Sequence, residues 1–160
     1  MKDNQERLLR YLNDAWSVED ALVTSLRSQA KKSQHPEVAR MYEEHAMMTK
    51  NQKARLEERI HALGGKPSSG KGLFTTMMAT IADFMHKPAD EYDEEAQLLM
   101  KSYATEHLES AMYRSMEVFA EAIGDHTTAT LASSIRAEEE ATAQRLWPFI
   151  GQVAQVPSKV

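Results

Sequence analysis

Apolar side chains recur every three or four positions along most of this chain, and that spacing predicts four long amphipathic helices. The first, from about Gln5 to Ser33, carries Leu8, Leu12, Ala15, Leu22, Leu26 and Ala30 on one face. Between Ala15 and Leu22 the same stripe passes through Glu19, a carboxylate on the face that has to be buried. The second starts at Pro36, a residue suited to a helix's first turn, and runs to about Leu63. Its stripe is Val38, Met41, His45, Met48, Gln52, Leu56, Ile60 and Leu63, so His45 and Gln52 face inward. Gly64-Gly65 and Pro67 stop it. The third long helix begins between Asp90 and Asp93 and ends before Gly124, with Leu99, Tyr103, Glu106, Tyr113, Met116, Ala120 and Ile123 inward. Glu109 lies one turn from Glu106 on the same side. The fourth, capped by Asp125 or Thr127, presents Ala132, Ile135, Glu139, Thr142, Leu146 and Phe149. It is expected to fray at Trp147-Pro148, leaving 151–160 as a tail.

Tight turns join the first pair of helices and the second pair, whereas about 25 to 30 residues separate the pairs. Within that connection, Leu73, Phe74, Met77, Met78, Ile81, Phe84 and Met85 predict a short helix covering one end of the bundle. The expected fold is therefore all-α. It is a single ferritin-like four-helix domain spanning 1–160, with the bundle over about 5–150 and one long crossover carrying a short extra helix. The two halves echo each other: Glu139 falls 33 residues after Glu106, and Gln52 falls 33 after Glu19.

Composition agrees with helices: among 160 residues there are only 6 Gly and 5 Pro. The absence of cysteine excludes disulfides, thiolate metal sites and cysteine nucleophiles. A net charge of -5 argues against a nucleic-acid partner. No apolar run reaches the roughly 20 residues that cross a bilayer, and the first residues lack the apolar core of a signal peptide. A cytoplasmic protein without membrane or nucleic-acid partners is expected. Gly65 to Gly72 mimics a phosphate loop, but it follows a helix where a strand is required and ends in Gly72 instead of Ser or Thr. The ten Met residues are expected as adaptable core filler.

The inward polar residues carry the candidate chemistry. A buried, unpaired carboxylate is costly unless it is protonated, paired or bound to a metal. Glu19, Glu106 and Glu139 come from three helices at middle height, with Glu109 and His45 nearby. Hard carboxylates with an imidazole suit iron or manganese, as one or two ions. The di-metal bundle pattern takes a Glu from two helices and Glu-x-x-His from the other two. Here Glu139-x-x-Thr142 has Thr in the His position, and Glu44, next to His45, lies about 100° around the helix. Glu138 and Glu140 are expected in solvent. Tyr103 or Tyr113 is expected to hydrogen-bond to a ligand or relay an electron. The alternative is a metal-free polar layer in a bundle that works as a dimeric structural or protein-binding module.

Several segments resemble the YciE/YciF family of bacterial stress-associated ferritin-like proteins. Glu106-His107-Leu108-Glu109 with Tyr113 resembles the family's Glu-His-x-Glu-x-x-x-Tyr. Glu138-Glu139-Glu140-Ala141-Thr142 resembles its Glu-Glu-x-x-x-Asp motif, and His45-Ala46-Met47-Met48-Thr49 with Gln52 resembles His-x-x-Glu-Thr-x-x-Gln. The stretch Trp16 to Leu22 resembles its Glu-containing first helix. The resemblance implies a ferritin-like bundle, commonly a homodimer. Glu106-x-x-Glu109 also resembles the third helix of rubrerythrins, di-iron peroxidases, which implies a small oxidant as substrate. Two positions depart from the family: Met48 replaces a Glu and Ala143 an Asp.

Overall fold

Local chemistry sets the helix ends. The computed structural model describes residues 2–69 and 71–156, and its five elements are α1 (Lys2–Lys32), α2 (Pro36–Ala62), α3 (Lys71–Ala82), α4 (Glu91–Ala122) and α5 (His126–Ala154). The Asp90 carboxylate accepts from the N–H groups of Tyr92 and Asp93 and starts α4; Asp125 accepts from Thr128 N–H and starts α5. Thr127, the other candidate cap, lies inside the helix. The C-termini of α2 and α4 close alike. Gly65 N–H reaches the Ile60 carbonyl and Gly64 N–H that of His61; Asp125 and Gly124 do the same to Ala120 and Glu121. Gly64 and Gly124 adopt φ of 77° and 79°, the left-handed conformation this closure requires.

α1 packs along α2 and α4 along α5, each pair joined by a three-residue turn, and the crossover between α2 and α4 carries α3. The four-helix bundle with one long crossover is thus observed. Two apolar clusters fill it. One gathers Leu8, Leu12 and Ala15 of α1 with Leu56, Ile60, Tyr113, Met116, Ala132 and Ile135. The other gathers Val18, Leu22 and Leu26 of α1 with Val38, Met41, Tyr42, Leu99, Leu146 and Val153. Glu19, His45, Gln52, Glu106, Glu109 and Glu139 lie between these clusters, whereas Glu95 and Thr128 are buried at helix ends, against His35 and Arg59.

Three expectations change. α5 does not fray at Trp147-Pro148, nor does the bundle end at 150: the helix runs through Pro148 to Ala154 and buries Val153. An internal proline costs roughly 3 kcal/mol; full burial of Val153, with Phe149 and Ile150 packed on the same cluster, offsets it. Residues 157–160 of the expected tail lie outside the described residues. Second, α3 covers a flank of the bundle instead of an end. It stops at Ala82, lies on α1 and α4, and packs Phe74 and Met77 against the second cluster. Third, the stripe of α2 passes through Thr49, which is fully buried, while Met48 is half-buried. Residues 45, 49, 52 and 56 keep to the seam because the inward face drifts slowly around a long helix.

Candidate metal centre

Glu19 of α1, His45 of α2, Glu106 and Glu109 of α4 and Glu139 of α5 all lie in the junction between the clusters. Each carboxyl is 1% exposed and the imidazole 3%. The five residues singled out from the sequence are therefore brought into one layer. Within it, ligand atoms of His45, Glu106 and Glu139 all lie within 4.8 Å of one another. His45 Nε2 is 3.5 Å from Glu106 Oε1. Glu19 and Glu109 form a neighbouring pair within hydrogen-bonding reach of each other.

Few fixed donors serve this layer. The Tyr113 hydroxyl donates to Glu19. The Gln52 amide donates to Glu139 and, at 2.9 Å, to Glu138 Oε2. Both nitrogens of His45, both oxygens of Glu109, Glu19 Oε2, Glu106 Oε2, Gln52 Oε1 and Thr49 Oγ1 are buried without a hydrogen-bond partner from an amide, hydroxyl or cation. Native interiors rarely leave such groups unpaired.

Electrostatics follow from this geometry. Burial, reinforced by mutual repulsion, pushes Glu19, Glu106 and Glu109 well above the usual 4.5. Glu139 rises less, because after burial the hydrogen bonds from Glu106 and Gln52 hold it down. These carboxyls therefore hold protons at pH values where free carboxyls are ionised. Burial, with Arg145 as a smaller influence, lowers His45 to about 4, so its imidazole is neutral at pH 7. Burial and the adjacent carboxylates push the Tyr113 phenol well above 10.

The donor set fits a transition metal. A neutral imidazole and carboxylates whose oxygens lack partners are what iron or manganese coordinates, and a cation would satisfy the atoms the protein leaves alone. The fit departs from the full di-metal pattern, since no Glu-x-x-His is assembled. Gln52 stands on α2 where Glu139 stands on α5, 87 residues on, and the two are hydrogen-bonded.

The sequence pattern misses or misplaces three details. Tyr103 is not in the layer: half-buried against the second cluster, it packs edge-on against His107 and beside Trp147. Glu138 is not free in solvent, because Arg55 donates to it at 2.6 Å and Gln52 joins them. Glu140, by contrast, is exposed as expected and paired with Arg136. Thr49 is buried beside the site, a position that its place four residues after His45 would have signalled.

The bundle topology and its buried carboxylate layer define a ferritin-like protein. The chain belongs to the DUF892 family, a domain of unknown function whose model matches residues 3–156. The resemblance to YciE/YciF proteins read from the helix motifs is borne out. A protein of Xanthomonas campestris pv. campestris shares 26% identity over 94% of this chain and 93% of its own, with a TM-score of 0.77. The Escherichia coli stress protein YciF shares 21% over 98% and 100%, also at 0.77. A dodecameric thioferritin, the bacterioferritin-related protein of Bacteroides fragilis, shares 23% over 94% and 88% at 0.74. No curated protein is significantly similar to the chain. Among the described residues, no helix is long and apolar enough to cross a membrane.

Proposed function

We propose that this is a ferritin-like stress protein whose polar layer holds an atypical centre of one or two iron or manganese ions and reacts with peroxide or dioxygen. The observation that carries the reading is the set of buried, unpartnered atoms on His45, Glu106, Glu109 and Glu19. His45, Glu106 and Glu139 would hold one ion; Glu19 and Glu109 would complete its shell or hold a second. Bound iron or manganese would supply one-electron redox chemistry. Gln52 orients Glu139, and Tyr113 orients Glu19. The protons that the raised carboxyls hold leave when the ligands are needed as anions. The apolar clusters close the layer on the side of each bundle end. YciF is a stress protein and the thioferritin is dodecameric; for this chain a homodimer is part of the reading, supported by Phe84 at 85% and Trp147 at 64% exposure.

The test is metal analysis after anaerobic loading with Fe(II) or Mn(II) and removal of excess. The expected result is one or two ions per chain in the wild type and loss in Glu106→Gln. No metal in the wild type would overturn the reading.

A second reading has its own observation. Gln52 and Tyr113 already donate to Glu139 and Glu19, as in a neutral hydrogen-bonded layer of a metal-free module that binds other proteins. It expects Glu106→Gln to leave fold and phenotype intact. Loss of function with an intact fold would rule it out.

A further inference from the structure

Where α3 lies across α1 and α4, a cavity of about 270 Å³ opens. Its outer rim is Ala82, exposed, with Met78 and Lys101, half-buried; its inner end is Glu106, 1% exposed with an unpartnered Oε2. The cavity therefore links the surface under α3 to a ligand candidate that is otherwise sealed between the four long helices. It far exceeds the roughly 10–15 Å³ that admits one water.

We propose that this cavity is the route by which a small neutral hydrogen-bonding molecule, of the class of water and hydrogen peroxide, reaches Glu106. The proposal deepens the metal-centre reading and rests on it for what the molecule meets at the inner end. The wall chemistry selects the class. Ser102 Oγ donates to Gln29 Oε1 at 3.3 Å, and Gln29 Nε2 donates to Ser25 Oγ at 3.2 Å. These three side chains, Ser25 and Gln29 from α1 and Ser102 from α4, form a ladder of neutral donors and acceptors in the lining. Ser102 Oγ also lies 3.4 Å from the buried Tyr42 hydroxyl, which is outside the lining. Before Glu106, the lining holds no carboxylate, and its charged side chain is the cation Lys101. A hydrated divalent cation would meet repulsion at the rim and no anionic ligand on the way. A neutral molecule exchanges its water hydrogen bonds for those of the ladder at little cost.

The absence of cysteine makes the test direct. Ser102→Cys places a single thiol on the inner wall, and Ala132→Cys places one in the first apolar cluster, away from the cavity. Each metal-free protein is treated with neutral methyl methanethiosulfonate and with its cationic trimethylammonium-ethyl counterpart, rates being referred to a free thiol. The expected result is that the Ser102→Cys thiol reacts at least tenfold faster with the neutral reagent than with the cationic one. It should also react at least tenfold faster than the Ala132→Cys thiol. Adding Met78→Trp, or Ala82→Phe in its place, should slow the neutral reaction at Ser102→Cys tenfold and leave Ala132→Cys unchanged. Equal rates at the two thiols, or no slowing by either plug, would overturn the route. Because labelling needs no metal, a wild type that loads no metal, together with this order in the two cysteine variants, keeps the route and loses the metal centre. Metal in the loaded wild type without this order in the cysteine variants loses the route alone.

Discussion

The two ends of the bundle and its middle are built on opposite principles. At the ends, Leu12, Leu56, Ile60, Met116 and Ile135 on one side, and Leu26, Val38, Leu99 and Leu146 on the other, are buried with nothing polar to satisfy. Their stabilisation comes from surface removed from water and close packing. In the middle, five ionisable side chains are equally buried, and the protein supplies fixed donors to only two of the carboxyls. The ends secure the helices in register; the middle spends part of that stability on burying polar atoms without partners. The same division separates the two halves of the chain. The α1–α2 pair contributes Gln52, a neutral donor, at the height where the α4–α5 pair contributes the acceptor Glu139.

Mutations should break this contrast in opposite directions. The largest effect is expected at the ends: Leu56→Ala, at a fully buried site, should lower stability by about 2–5 kcal/mol in chemical denaturation. In the middle the sign reverses. Glu106→Met replaces a buried ionisable group by an apolar one of similar size and should raise the stability of the metal-free protein by about 1–4 kcal/mol, while metal analysis shows the bound ion gone. A loss of stability comparable to Leu56→Ala would mean that the layer is structural. Tyr113→Phe leaves Glu19 without its fixed donor and should cost about 1–3 kcal/mol; no cost would mean that the carboxyl protons alone satisfy the layer.

The smallest effect, about 1 kcal/mol per pH unit for each proton involved, is the pH dependence of the metal-free protein. Glu19, Glu106 and Glu109 titrate well above 4.5 in the folded chain and near 4.5 when unfolded. Above 4.5 the folded state therefore holds more protons, and its stability falls as pH rises towards the folded values. His45, lowered to about 4 from 6.5, acts oppositely, adding stability from pH 4 to 6.5 and nothing further above. Thermal unfolding followed upward from pH 6.5 should thus show a falling midpoint. The fall should be shallower in a Glu106→Gln, Glu109→Gln double variant. Metal should stabilise more at the high end of the range, because its binding expels the same protons.

Much of this was legible in the residues. Gly64 and Gly124, Asp90 and Asp125 mark helix ends because capping is satisfied within a few residues. Glu19, Glu106, Glu109, Glu139 and His45 announced themselves because a 3.6-residue period assigns each side chain to a face before any partner is known. Pro148 misled for the opposite reason: its local cost is real, but the burial of Val153 that outweighs it comes from helices distant in sequence. The course of α3 along a flank was likewise open, since a short apolar helix on a long connection can lie wherever it finds apolar surface.

The sequence alone determined the helices, their order, the crossover and the set of inward polar residues, all of which depend on short-range geometry. Only the tertiary structure decided which of those residues meet. Rotation of α2 brought Thr49 inward in place of Met48. Packing against α5 turned Gln52 into the donor to Glu139 and left Glu106 and Glu109 with no fixed donor. Partnership in a core depends on the relative rotation and height of helices from both halves of the chain, and no single helix's pattern contains either.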